Sequence, residues 1–153
     1  MPANKKTKSV NPAPSTFSFE RADTLLFSYK IPQQVIGPRI EYLLETSAQI
    51  SVYPDQGLVA VISDISFNIK ADPLVQLGQI ITNCVYKFRD FENAIPQNEL
   101  GQHIIPQDLI QTLFSIAYST TRGILHTRTA GMIFPPVILP IVDPADFQPT
   151  QKK

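Results

Sequence analysis

Residues 17–32 read FSFERADTLLFSYKIP, and the reading of this stretch sets the architecture of everything after it. On a strand, successive side chains point to opposite faces. The odd positions Phe17, Phe19, Leu25, Phe27 and Tyr29 make one mostly apolar face, interrupted by Arg21 and Asp23. On the other face Ser18, Glu20, Thr24, Ser28 and Lys30 are polar, but Ala22 and Leu26 are not. The period of two predicts a strand over about 16–30. A half-solvated sheet does not need Leu26 beside Leu25, so a second body is expected over that face. Arg21 and Asp23 are spaced to pair with each other or across strands, at modest gain.

The alternation continues outward from this strand. In RIEYLLETSAQISVY (39–53) the even positions Ile40, Tyr42, Leu44, Ala48, Ile50 and Val52 are apolar. PDQG at 54–57 is a turn signal, with Pro setting φ and Gly open to positive φ. After it, LVAVISDISFNIKA sets Val61, Ile65, Phe67 and Ile69 against Asp64, Ser66, Asn68 and Lys70, and the short connection predicts an antiparallel hairpin. VQLGQIITNCVYKFRDF, from 75, has two apolar faces: Val75, Leu77, Ile81 and Val85 on one, Ile80, Cys84, Tyr86 and Phe88 on the other. Residues 92–105 read as a polar connection. Helical spacing follows over 106–131 at Leu109, Leu113, Ile116, Ala117, Thr120 and Ile124, with Pro106 and Asp108 at its start and Gly131 at its end. Its middle is unusually small (Ala117, Ser119, Thr120, Thr121, Gly123), which suits close approach of a sheet or another helix. FPPVILPIVDPADF at 134–147 is extended and stiffened by proline. The fold class is α+β: a four-stranded antiparallel sheet, then a long helix and a proline-rich closing segment. One domain is expected over 16–147, between disordered tails at 1–15 and 148–153.

Composition narrows the function by exclusion. The chain has 153 residues, 43% hydrophobic and 17% charged, with zero formal net charge, so nothing global argues for a nucleic acid or an anionic membrane. Cys84 is the only cysteine, which rules out an internal disulfide. The lysines of MPANKKTKSVNPAPSTF are not followed by an apolar core, so this is not a secretory signal, and MIFPPVILPIV at 132–142 is too short and too rich in proline to span a bilayer. The expected address is the cytoplasm. His103 and His126 have no metal-ligand spacing around them, and the six glycines are scattered singly. Cys84 sits mid-strand as a small buried residue, and Ser119–Arg122 lie inside the helix, where backbone N–H groups are already used. Neither an enzyme, nor a cofactor, nor a metal is expected.

Four stretches together resemble the SecB-like protein-export chaperones. The family's first strand reads roughly F-x-I-x-R-I-Y-T-K-D-I-S-F-E-x-P, which FSFERADTLLFSYKIP follows without a gap, matching at Phe17, Arg21, Thr24, Ser28 and Pro32. PRIEYLLET (38–46), LFSIA (113–117) and FPPVILPIVD (134–143) are similar to its second strand, late helix and closing segment, in the same order. The resemblance spans about 17–147. It implies a four-stranded antiparallel sheet with a long helix, protomers assembled as a dimer of dimers, and a homotetramer that binds unfolded or extended clients in apolar grooves without ATP. It also implies handover to the translocase motor SecA in protein export. Against that handover, the acidic positions through which the family's sheet engages the motor are Leu26, Lys30 and Gln79 here. Two carboxylates have become neutral and one has reversed sign, which removes attraction and adds repulsion. The C-terminal tail is short and basic, and the crossover has shrunk to QQVIG.

Candidate groove residues are Val35 and Ile36 in the crossover, Tyr86 and Phe88 in the fourth strand, and Ile116, Phe134, Ile138 and Phe147 near the helix and closing segment. Candidate protomer-interface residues are Leu25, Leu26, Ala117, Thr120, Thr121 and Gly123. The leading expectation is an ATP-independent chaperone of unfolded polypeptides. The alternatives are a dedicated chaperone of a toxin–antitoxin partner, or a structural oligomer without client binding.

Overall fold

The computed structural model describes residues 17–30, 41–70, 74–131 and 137–143. The tails 1–15 and 148–153 expected from composition lie outside them, as does the crossover. Strands β1 (Phe17–Tyr29), β2 (Tyr42–Tyr53), β3 (Leu58–Ile69) and β4 (Val75–Phe88) precede a short helix α1 (Phe91–Ala94) and a long one, α2 (Gln107–Thr129). All neighbouring strands run antiparallel in the order β1-β4-β3-β2. The hairpin between β2 and β3 closes through a 3-10 turn at Pro54–Gln56, and Gly57 takes the left-handed conformation (φ 62°) that returns the chain to the sheet.

α2 lies across β3 and β4 and covers one face of the sheet. Val59, Val61, Ile65 and Phe67 of β3 and Ile80, Cys84, Tyr86 and Phe88 of β4 point to that face and are buried. Their alternation with Asp64, Ser66 and Asn68 was legible from the period. The period of β1 is not so simple. Its pairing with β4 skips Glu20 and again Leu25, so two bulges shift its frame. Directly paired residues share a face, which puts Phe17 and Phe19, then Ala22 and Thr24, then Phe27 and Tyr29 on the helix side. Ala22 is therefore not an anomaly. Arg21 and Asp23 belong to the helix-free face, where they pair with each other at 2.8 Å, and Leu26 lies there opposite Ile81. The single alternating frame expected for β1 is corrected by these two insertions.

A third irregularity, at Phe67/Asn68, lets Leu77 slip out of the β3–β4 register. Leu77 joins Ile80 in the helix-side core instead of sharing a face with Ile81 and Val85. One residue on, Gly78 has no room for a side chain, because a Cβ would collide with the Ser28 carbonyl and the Phe67 ring. β4 stops at Phe88, short of the Phe91 expected as the end of the fourth strand, and the connection after it departs from its polar reading. Phe91 and Ile95 are buried in the core, and Asn98 Oδ1 accepts the amides of Leu100 and Gln102 to shape the turn between them and α2.

Candidate functional site

The sheet-facing side of α2 is closed. Leu113, Ala117, Thr121 and Leu125 are all fully buried on the protomer's own sheet. The Thr121 hydroxyl donates to the Ala117 carbonyl at 2.8 Å, which leaves its oxygen to accept from the Thr82 hydroxyl at 2.6 Å. This buried pair fixes the height of α2 on β4. Tyr86 donates to the Leu113 carbonyl at 3.0 Å. Burial pushes the Tyr86 phenol far above its usual range and raises the neighbouring Cys84 thiol to about 11. Such a thiol stays protonated and is a poor nucleophile.

These facts correct four site expectations. Tyr86 and Phe88 are core side chains, so they cannot line a groove open to a client. Ala117 and Thr121 are spent on the sheet, so they cannot form an interface between protomers. The small residues there serve close helix-to-sheet approach. The threonines that cost helix propensity satisfy themselves: Thr112, Thr120, Thr121, Thr127 and Thr129 each donate to the carbonyl four residues back.

The opposite side of α2 is open. Ser119, Thr120, Gly123, Ile124, Thr127 and Arg128 line a shallow groove of about 570 Å³. Its β1 side is marked by the Arg128 guanidinium, which sits 5.4 Å from the centre of the Phe27 ring. Two interface expectations, Thr120 and Gly123, fall here, and a Cβ at Gly123 would meet nothing within 4 Å. Ile124 and Arg128 continue the Thr120 row at every fourth residue, a spacing that marks them as groove neighbours in the sequence. Leu25 (56% exposed) and Leu26 (40% exposed) are both open to solvent. Ile116 is half-buried at the margin of the core.

The closing segment is pinned beside α2. Val137 and Leu139 are buried, and the Tyr118 hydroxyl donates to the Pro140 carbonyl at 3.0 Å. This alternation turns Ile138 outward at 65% exposure. Among the groove candidates, Val35, Ile36, Phe134 and Phe147 lie outside the described residues.

The helix-free face of the sheet carries Leu26, Ile81, Ile62 and Ala60 beside a few polar groups. Gln79, one of the three positions where the resemblance expects an acid, donates to Asp64 Oδ1 at 2.7 Å. Lys30, at the end of β1, is held by its backbone N–H on the Leu77 carbonyl and is otherwise exposed. Among the described residues, no group of three or more His, Cys, Asp or Glu is gathered for a metal, and no helix is long and apolar enough to cross a membrane.

No family model matches the sequence, and no curated protein matches it. Solved structures do. The Mycobacterium tuberculosis Rv1957 SecB-like chaperone, in complex with a ChAD peptide from the Rv1956 HigA1 antitoxin, superposes with a TM-score of 0.60 at 14% identity, covering 83% of this chain and 91% of that one. The fold is SecB-like. A protein of unknown function from Streptococcus agalactiae matches with a TM-score of 0.39 at 15% identity, over 81% of this chain and 96% of that one. In this fold α2 lies over the two central strands, and among the described residues the outer side of the helix and Ile138 remain exposed.

Proposed function

We propose that this chain is an ATP-independent chaperone that holds extended polypeptide segments on the apolar surface around α2, and that it works in the cytoplasm as a homo-oligomer. The observation that carries this reading is apolar surface without a partner among the described residues. The outer groove of α2, Leu25 and Ile138 remain open while the sheet side is fully packed. A segment seating a few large apolar side chains gains roughly 1.5–3 kcal/mol for each, before ordering and association costs. Several such surfaces on one oligomer add avidity. The outer row Ser119, Gly123 and Thr127 supports assembly through helix packing as a dimer of dimers, because its small side chains let a second helix approach closely. Leu25 and Leu26 are assigned to a separate protomer contact along β1; Ile116 and Ile138, with Val35, Ile36, Phe134 and Phe147, remain the client candidates.

A narrower reading is favoured by two specific observations. A neighbour of this fold is solved with an antitoxin peptide, and here Leu26, Lys30 and Gln79 stand where the resemblance expects acids used for the export motor. Both features support a dedicated chaperone of a toxin–antitoxin partner over a general export factor. The deciding experiment mixes stoichiometric protein with a chemically unfolded substrate and follows light scattering, beside a binding assay with SecA. Slowed aggregation without SecA binding supports the narrower job, and slowed aggregation with SecA binding supports export. Undiminished aggregation at both low and physiological salt defeats the chaperone reading.

A further inference from the structure

We infer that Arg128 selects clients by charge: the β1 end of the α2 groove receives an extended segment that carries a carboxylate beside large apolar side chains. This deepens the proposed function and rests on it. Thr120, Ile124 and Arg128 recur at every fourth residue and form one row along the groove. The Arg128 end of that row reaches β1, where the guanidinium carbon lies 5.4 Å from the centre of the Phe27 ring. A basic residue in the last turn of a helix is ordinarily explained by the helix dipole. That explanation asks only for the last turn, where His126 also stands, and not for a place over an aromatic ring.

The walls of the groove supply cations without acids. After Asp108 no Asp or Glu occurs until Asp143, while Arg122, His126 and Arg128 fall between them. From β1, Thr24, Phe27 and Tyr29 stand on the helix side, and all three are uncharged. The Asp23 carboxylate belongs to the opposite face of the sheet and is taken by Arg21. The other ion pair among the described residues joins Lys70 to Glu41, so Arg128 has no acidic partner among them. Opposite charge has to come from the occupant.

The ring beneath Arg128 prepares it for that partner. Phe27 is half-buried against the core, so its face is a fixed surface, and stacking on it restricts the guanidinium. An arginine fork held in this way offers parallel N–H donors to a carboxylate and loses little freedom in pairing. Ile124, half-buried one turn earlier, gives apolar contact to the neighbouring side chain of the segment. A segment with Lys in place of the acid meets repulsion at the same point.

The test measures binding of three dye-labelled peptides to the full chain by fluorescence polarisation. All share one extended background of Val, Phe and Ser and differ only at the central residue, which is Glu, Gln or Lys. At low salt the Glu peptide should bind about threefold tighter than the Gln peptide and about tenfold tighter than the Lys peptide, the range of exposed charge pairs. The three affinities should converge at high salt, a readout that needs no variant. Arg128→Gln, with an unchanged urea midpoint, should bring the three together and leave the Gln peptide as it was. Arg128→Lys should keep most of the order, and Arg128→Glu should reverse it. Equal affinities in the wild type, or an order that survives Arg128→Gln, overturn the inference and leave the chaperone reading standing. Equal loss of all three peptides in Arg128→Gln, with a smaller particle in sedimentation, assigns Arg128 to assembly and also overturns it. Absence of any peptide binding to the wild type defeats both.

Discussion

The two sides of α2 use the same kinds of residue for opposite ends. On the sheet side Ala117 and Thr121 are fully buried, and their small size lets the helix settle onto Thr82 and Cys84. On the outer side Ser119, Gly123 and Thr127 face an open groove, with no neighbour among the described residues where a Cβ at Gly123 would stand. One side holds the protomer together and the other leaves it incomplete. Small residues in a helix therefore do not say which neighbour they were kept for; only their angular position does.

The difference breaks most sharply at the sheet side. Leu113→Ala empties fully buried volume beneath α2 and should cost about 2–5 kcal/mol in urea unfolding. Thr121→Val keeps the shape but strands the Thr82 hydroxyl, and should cost about 1–3 kcal/mol in the same assay. Alkali probes the same core. Burial holds Cys84 at about 11 against 9.0, and raises Tyr86 as well, so the unfolded chain ionises first. Their contribution is complete below about pH 9 and is lost as pH climbs through about 11, so the urea midpoint should fall across that window. Cys84→Ala should flatten the early part of the fall. Gly123→Ala marks the small end of the scale for the protomer. It meets open space, and helix propensity alone should stabilise the fold by up to about 1 kcal/mol in a thermal melt. A large loss there would mean that the outer side is already packed.

Much of the fold was legible because burial of one sheet face imposes a strict period. β2, β3 and most of β4 obey it, and the turn at 54–57 carries its own chemistry in Pro54 and Gly57. The failures have a common physical source. A bulge inserts one residue without changing composition, so Glu20 and Leu25 gave no sign that Ala22 would change faces or that Arg21 and Asp23 would leave the apolar one. Ile95 was missed because one apolar residue in a polar stretch sets no period, and Phe91 was read as the end of the fourth strand, whereas β4 stops at Phe88 and Phe91 opens α1; both are buried. Among the site residues, hydrophobicity alone could not tell Tyr86 and Phe88, under the helix, from Ile138, beside it. That distinction depends on where the closing segment is pinned, through Tyr118 and Pro140, a contact with no sequence signature.

The open side of α2 is tested most directly by a charge placed at its margin. Ser119→Asp introduces a carboxylate into the outer groove at an exposed position, clear of Leu113, Thr121 and Leu125. Wild-type protein at stoichiometric ratio should slow aggregation of an unfolded substrate, while the variant, with an unchanged urea midpoint, should lose most of that effect or fall to a smaller oligomer. Equal protection by both proteins, with identical assembly, would contradict a working role for this surface.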